Sequence, residues 1–284
     1  MISVVMATYN GEEFIEKQLE SIRNQSLKPD EVIICDDCST DSTERIIVDF
    51  IKKYNLLTWK YERNTENLGY YRNFVNCVEK CNGDTIYFSD QDDIWDLNKI
   101  MVFESTFRNH KDVTLIQSNY LLIDANDKII NNNINYHESK NRNNISYLNA
   151  FDICRYAGAG FTMAFRKEVI EFVNRNKLSS YSKTFECHDL LYSLAAIAIG
   201  KIIFIKNVVD RHRLHNKNST QKIDKSFVYN RSAHIQIRNV VNRQNRMKLL
   251  IKCNNILSTS RKEFIRFYSF NFYREQWISC HNIF

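Results

Sequence analysis

The chain has 284 residues, 44% hydrophobic and 25% charged, enough for a sizeable core and typical of an ordinary soluble globular protein. Eight cysteines include one CxxC spacing, Cys35-Asp36-Asp37-Cys38, and no second pair to complete it, which indicates neither a zinc site nor a disulfide framework. The formal charge of +6 is uneven, because residues 222–284 hold 12 Lys and Arg against 3 Asp and Glu.

Ile2 to Ala7 is a β-rich run with little alternation, as expected for a strand buried on both faces. Thr8-Tyr9-Asn10-Gly11 then reads as a loop, and Ile15, Leu19 and Ile22 recur at helical spacing. Pro29-Asp30 breaks the chain before a second buried strand, Glu31 to Cys35. Asp41 and Glu44 suggest a capping box for a helix that carries Ile46, Ile47, Phe50, Ile51 and Tyr54. Trp59-Lys60-Tyr61 is a third strand, Tyr70 to Cys81 a third helix and Thr85 to Phe88 a fourth strand. This alternation predicts an α/β fold, a mostly parallel sheet with helices on both faces. In such sheets ligands bind at the carboxyl ends of the strands, where the loops at 8–11, 36–41 and 90–93 all fall.

Further on, Asp96 to Asn109 reads as a helix, Val113 to Ile123 as a strand and Asn126 to Asn144 as a polar loop beside the cleft. Tyr156 to Met163 carries Gly158 and Gly160, which allow close backbone approach to a ligand or mark a bulged strand. Glu168 to Asn176 and Leu190 to Ile199 read as helices, and Lys201 to Ile205 as a strand. The stretch from Leu190 to Ile205 is broken by Gly200-Lys201 and falls short of the ~20 apolar residues a spanning helix needs. Met1 to Asn10 lacks the basic start and the length of a signal peptide. Cys77 and Cys81 sit at helical spacing on an apolar face, which suggests reduced core thiols. A cytoplasmic protein, soluble or peripheral on the inner face of the cell membrane, is therefore expected.

The densest chemistry lies at Ser89-Asp90-Gln91-Asp92-Asp93-Ile94-Trp95. Three carboxylates arrive within four residues at a strand end, and like charges that close repel unless a cation or solvent relieves them. A turn there can aim Asp90 and Asp92 at one cation. Oxygen-only ligands suit Mg²⁺ or Mn²⁺. The alternative is a solvated acidic turn, against which Ile94-Trp95 weighs by pinning the turn to the core.

SDQDDIW after an apolar strand resembles the metal-binding DXD element of the family 2 glycosyltransferases, in particular their rhamnosyltransferase-like branch. The run from Val4 to Gly11 is similar to that family's first strand and loop, and Cys35 to Thr43 to its second, with Cys38 where the family usually has Gly. The matches run in family order across about residues 1–220. The resemblance implies a GT-A fold with a nucleotide-binding half over about 1–95 and an acceptor half over about 96–221, followed by a basic helical appendage, 222–284.

It also implies site residues. Asp37 would accept the imide N–H of a pyrimidine base, with Thr8, Tyr9 and Asn10 beside it. Asn67-Leu68-Gly69 with Arg72-Asn73 resembles the family's element next to the nucleotide, where Arg72 contacts phosphate. Asp92 would be the principal metal ligand, supported by Asp90. His188-Asp189 resembles the (E/H)D motif, so Asp189 would be the general base; from residue type alone, it serves as well to cap a helix. His212-Arg213-Leu214-His215 is similar to the YRxH segment, with His212 replacing Tyr. His215 would then reach the metal or the diphosphate, and Arg213 the phosphates.

The reaction implied is metal-dependent, inverting transfer of a sugar from a nucleotide sugar to a glycan or lipid-linked acceptor; the resemblance favours rhamnose from dTDP-rhamnose, with a UDP-hexose donor as the alternative. A nucleotidyltransferase would show a Gly- and Lys/Arg-rich loop after the first strand, and here that loop runs into Glu12-Glu13. Nucleic acid is not expected as a partner, although residues 222–284 do interleave cations with aromatics. That pattern, as in Phe264-Ile265-Arg266-Phe267-Tyr268, suits an anionic membrane surface or a homodimer contact.

Overall fold

The computed structural model describes residues 1–131, 144–149, 152–153, 158–181, 187–216 and 218. Strand β1 (Ile2–Thr8) lies at the centre of the parallel part of the sheet. It pairs in parallel with β2 (Glu31–Asp36) and β4 (Thr85–Ser89), and β2 pairs in parallel with β3 (Trp59–Arg63). Side chains alternate across a strand, so both faces of β1 are apolar for different reasons. Val5 packs into one hydrophobic cluster with α3 (Tyr70–Val78), α5 (Lys167–Arg175) and α6 (His188–Ile199). Val4 and Met6 pack into a second with α1 (Ile15–Arg23), α2 (Thr43–Lys53) and α4 (Lys99–Asn109). The near-continuous apolar runs of β1 and β2 thus follow from helices on both sides.

The second half adds β5 (Ile94–Trp95), β6 (Val113–Ile123), β7 (Ile129–Asn131), β8 (Ile145–Leu148), β9 (Met163–Arg166) and β10 (Lys201–Arg213). The sheet order is β3-β2-β1-β4-β9-β6-β10-β5, with β7 on β6 and β8 on β10. The α/β class is as expected, and the sheet is mixed. The first half is parallel, whereas β9 runs antiparallel to both β4 and β6 and joins the halves.

Several boundaries move, for local reasons. The expected capping box before α2 is absent. Asp41 instead accepts bonds from the Thr43 amide and hydroxyl, while Glu44 pairs with Arg63 at 2.9 Å. Helix α3 stops at Val78, three residues before Cys81, where the chain turns through Asn82-Gly83 into β4. Helix α4 starts at Lys99 rather than Asp96, because Ile94–Trp95 is a strand paired with β10. Strand β10 does not end at Ile205. It runs on to Arg213 through register shifts between Ile205 and Val208 and between Val208 and Asp210. Lys206 and Asn207 interrupt the apolar pattern there, and bulges absorb the extra residues without ending the pairing. The Asn-rich stretch is described only to Asn131, and the appendage 222–284 lies outside the described residues.

Candidate active site

The carboxyl ends of β1, β2 and β4 bring three loops together. Thr8 closes β1, and its hydroxyl donates to Asp36 at 2.9 Å. Asp36 is fully buried and also accepts the Ser39 amide (2.9 Å) and hydroxyl (2.5 Å). Thr8 is itself buried and braces the loop base. Tyr9 is 48% exposed at the rim. The backbone of Asn10 sits at φ 49°. Its amide donates to Ser39 Oγ (2.9 Å), its side-chain oxygen accepts from the Thr40 amide (2.8 Å), and the Gly11 amide donates to Thr43 Oγ1 (2.8 Å). The first loop is thus zipped to the second. Cys38, at φ 65°, holds the left-handed turn that a glycine would take more cheaply.

Asp37 organises the next loop. Its Oδ1 accepts from Asn64 Nδ2 (2.9 Å) and the Leu68 amide (2.7 Å), and its Oδ2 from the Gly69 amide (2.8 Å). Asn67 Nδ2 donates to the Asp37 carbonyl at 3.0 Å, and Gly69 turns at φ 78° into α3. Arg72 is exposed on the first turn of that helix. Asn64 carries no motif signal, yet it bridges Asp37 and the buried Asn73.

The acidic loop is held from the far side by the end of β10. Asp93 is fully buried, and its Oδ1 accepts from the Arg213 amide (3.0 Å) and bonds His212 Nδ1 (2.8 Å), while its Oδ2 has no partner. Asp92 Oδ2 meets His215 Nε2 at 2.7 Å and Asn218 Nδ2 at 3.3 Å. Burial and the carboxylates of Asp93, Asp92 and Asp189 push Asp90 well above the usual carboxylate range, against the pull of His212. Burial opposes charge on His212 as well, but Asp93, Asp92 and Asp90 drive it up to about 9. The His212 ring stacks on Phe161 with centroids 4.6 Å apart.

Arg213 corrects an expectation. It is fully buried, and two of its three guanidinium nitrogens are engaged inside the protein: Nε donates to the Asp92 carbonyl (2.8 Å), Nη1 to the Asp124 carbonyl (2.9 Å), and Nη1 pairs with Asp127 (2.5 Å), while the buried Nη2 has no hydrogen-bond partner. Phe14 packs beneath it at 4.6 Å and also touches the His215 ring at 4.7 Å. Arg213 is therefore a prop of the acidic loop and not a phosphate contact. Phe14 and Asn218 were not legible as site residues, since neither belongs to a short motif.

The remaining candidate residues lie on α6 and near the turn at 158–162. Asp189 is half-buried in the first turn of α6 and accepts from the Leu190 amide at 2.9 Å. Its charge adds to the rise at Asp90. His188 is 6% exposed, stacked on Phe74 at 3.8 Å and edge-on to Phe88 at 4.7 Å, and neither ring nitrogen has a partner. Burial pulls it down to about 4, with Asp189 opposing. A Cβ on Gly160 would stand 2.5 Å from His188 Nε2. Below, the buried Lys99 donates to the Phe161 carbonyl and pairs with Asp210, both at 2.5 Å, and Asp210 accepts from Ser118 at 2.8 Å.

Among the described residues no three His, Cys, Asp or Glu side chains are placed to hold a metal ion by themselves. The donor set nevertheless fits a hard cation. Asp90 is a crowded carboxyl beside Asp92, and Mg²⁺ commonly takes only one or two protein carboxylates, with water and substrate phosphate completing its shell.

Comparison with known proteins gives the following. The sequence profile described as glycosyl transferase family 2 matches residues 3–171, more than half of the chain. The chain is 34% identical over 117 residues to the abequosyltransferase RfbV of Salmonella typhimurium, covering 40% of this chain and 35% of that one. It is 42% identical over 99 residues to the dTDP-rhamnosyl transferase RfbG of Shigella flexneri, covering 34% of each. The chain thus spans about a third of the length of these curated relatives. Its fold resembles that of Staphylococcus aureus TarS 1–349 in complex with UDP-GlcNAc, with a TM-score of 0.65 at 17% identity, over 93% of this chain and 70% of that one. No described helix is long and apolar enough to cross a membrane.

Proposed function

This chain belongs to glycosyl transferase family 2, and from that premise we propose an inverting, metal-dependent sugar transferase. It moves rhamnose from dTDP-rhamnose to a glycan or lipid-linked acceptor in cell-surface polysaccharide synthesis, at the cytoplasmic side of the membrane. The observation that carries the reading is the crowding of Asp90, Asp92 and Asp93 in the turn after β4, where burial and these neighbours, with Asp189 on α6, hold Asp90 well above its ordinary range. Such a cluster is stable only where a proton or a cation offsets it. The donor assignment is supported by the likeness to RfbG. A second reading, a UDP-hexose donor on the same fold, is favoured by the likeness to TarS in complex with UDP-GlcNAc.

In this reading Asp37 meets the base. Its carboxylate has about four lone-pair sites and three are engaged by the 64–69 loop, which leaves one for an imide N–H. Tyr9 walls the base pocket, Asn10 and Asn67 border it, and Arg72 meets the phosphates from the exposed first turn of α3. Asp92 and Asp90 would hold Mg²⁺ or Mn²⁺, with His215 on the outer side of Asp92. When bound, the ion neutralises charge on the departing diphosphate as a Lewis acid. Asp189 takes the proton from the acceptor hydroxyl. Gly158 and Gly160 let the Gln117 and His188 side chains pack against the turn beside Asp189.

The test is a thermal-shift panel of dTDP, UDP, GDP and CDP with and without Mn²⁺, because a bound ligand stabilises by mass action. The dTDP arm should move most, and larger shifts with UDP favour the second reading. No shift with any nucleotide removes both. For the appendage 222–284, loss of binding to anionic liposomes on its deletion supports membrane docking, and a dimer that the deletion splits supports a subunit contact.

A further inference from the structure

Gln91 lies between the two aspartates proposed for the metal, yet its own side chain turns away from them to the first loop. Its Oε1 accepts the Tyr9 amide at 2.9 Å, and its Nε2 donates to the Tyr9 carbonyl at 3.0 Å. One primary amide thus pairs with both polar groups of one residue, as a neighbouring strand would beyond the end of β1. The fit is close. A Cβ at Gly11 would stand 2.4 Å from Gln91 Oε1 and 2.6 Å from its Cδ, so the bare glycine leaves the space that the bracket fills. The first loop is in turn zipped to the second through Asn10 and Gly11. The acidic turn is therefore held by the end of β10 through Asp92 and Asp93 and by Gln91 to the first loop, as well as by α1 through Gln18.

We propose that Gln91 is a positioning residue that couples the nucleotide loop to the metal-binding carboxylates, so that a nucleoside seated on residues 9–11 presents its diphosphate at Asp90 and Asp92. The proposal rests on the nucleotide-sugar reading above. Losing the bracket leaves nucleoside contacts and carboxylates in place but frees one to move against the other. The loss should fall on the cooperation between metal and diphosphate, and not on either alone.

The experiment measures Kd for the monophosphate and diphosphate of the nucleoside that wild type prefers, with and without Mn²⁺. It uses the full chain as wild type, Gln91→Met and Gln91→Ala. Methionine keeps the bulk beneath Gly11 and removes both bonds; alanine also removes the bulk. In both variants the tightening of the diphosphate by Mn²⁺ should drop about tenfold, while monophosphate affinity stays within about twofold, a coupling change of the usual size between two sites. The apo melting midpoints report whether each variant is folded. Unchanged Mn²⁺ tightening in both variants overturns the proposal, and so does equal weakening of monophosphate and diphosphate. Wild type that binds nucleotide without any Mn²⁺ effect overturns the coupling alone. Wild type that binds no nucleotide overturns the transferase reading and the proposal with it.

Discussion

Replacing His188 with Phe tests the electrostatics beneath the candidate base. The imidazole is buried with both nitrogens unpartnered, and burial holds it near 4 against an ordinary 6.5. The folded value lies below the unfolded one, so the neutral ring contributes stability above pH 6.5 that is lost as the pH falls toward 4. With those two values, lowering the pH from 7 to 5 costs the wild type about 2 kcal/mol through this one group. A midpoint shift of roughly 3–4 °C follows for a chain of 284 residues. Phenylalanine does not titrate. It adds bulk toward Gly160, where Nε2 already lies 2.5 Å from a hypothetical Cβ, but that penalty is the same at both pH values. The assay is therefore the difference of differences: urea or thermal unfolding of both proteins at pH 7 and pH 5. His188→Phe should lose about 2 kcal/mol less than wild type over this interval, whatever its absolute stability. Equal acid losses, or an NMR titration of His188 near 6.5, would refute the reasoning.

Three further outcomes are expected. Asp92→Ala should abolish Mn²⁺-dependent nucleotide binding while the fold survives, since Arg213 grips the Asp92 carbonyl and not its side chain; full transfer by this variant in chelator-treated buffer contradicts the metal assignment. Asp189→Asn should keep nucleotide affinity and lower transfer by ~10²-fold or more, the size usual for a lost general base; a parallel loss of nucleotide binding would make Asp189 a donor-site residue instead. Lys99→Met strands the buried Asp210 with Ser118 alone and should cost about 3–5 kcal/mol in urea unfolding, whereas Lys99→Met with Asp210→Leu should recover most of it. A double variant no more stable than the single one would show that the pair is not the source of the loss.

The sequence by itself determined the elements whose signal is local. The apolar runs of β1 and β2, the helical spacing of Ile15, Leu19 and Ile22, and the acids at the end of β4 follow from period and composition over a few residues, and they place the cleft at the strand ends. It also supplied the family, because six short segments resembling that family's keep their order along the chain. Only the tertiary structure decided what those residues do for one another. Arg213 sits in a basic segment and reads as a phosphate ligand, but β10 carries it through two bulges to the underside of the acidic loop, where its charge is consumed. The pairing of His215 with Asp92, of Lys99 with Asp210 and of Gln91 with Tyr9 spans 123, 111 and 82 residues of chain. No periodicity encodes such a contact. It exists because packing two faces of one sheet fixes the strand ends within hydrogen-bond reach, and geometry at that scale is a property of the folded whole.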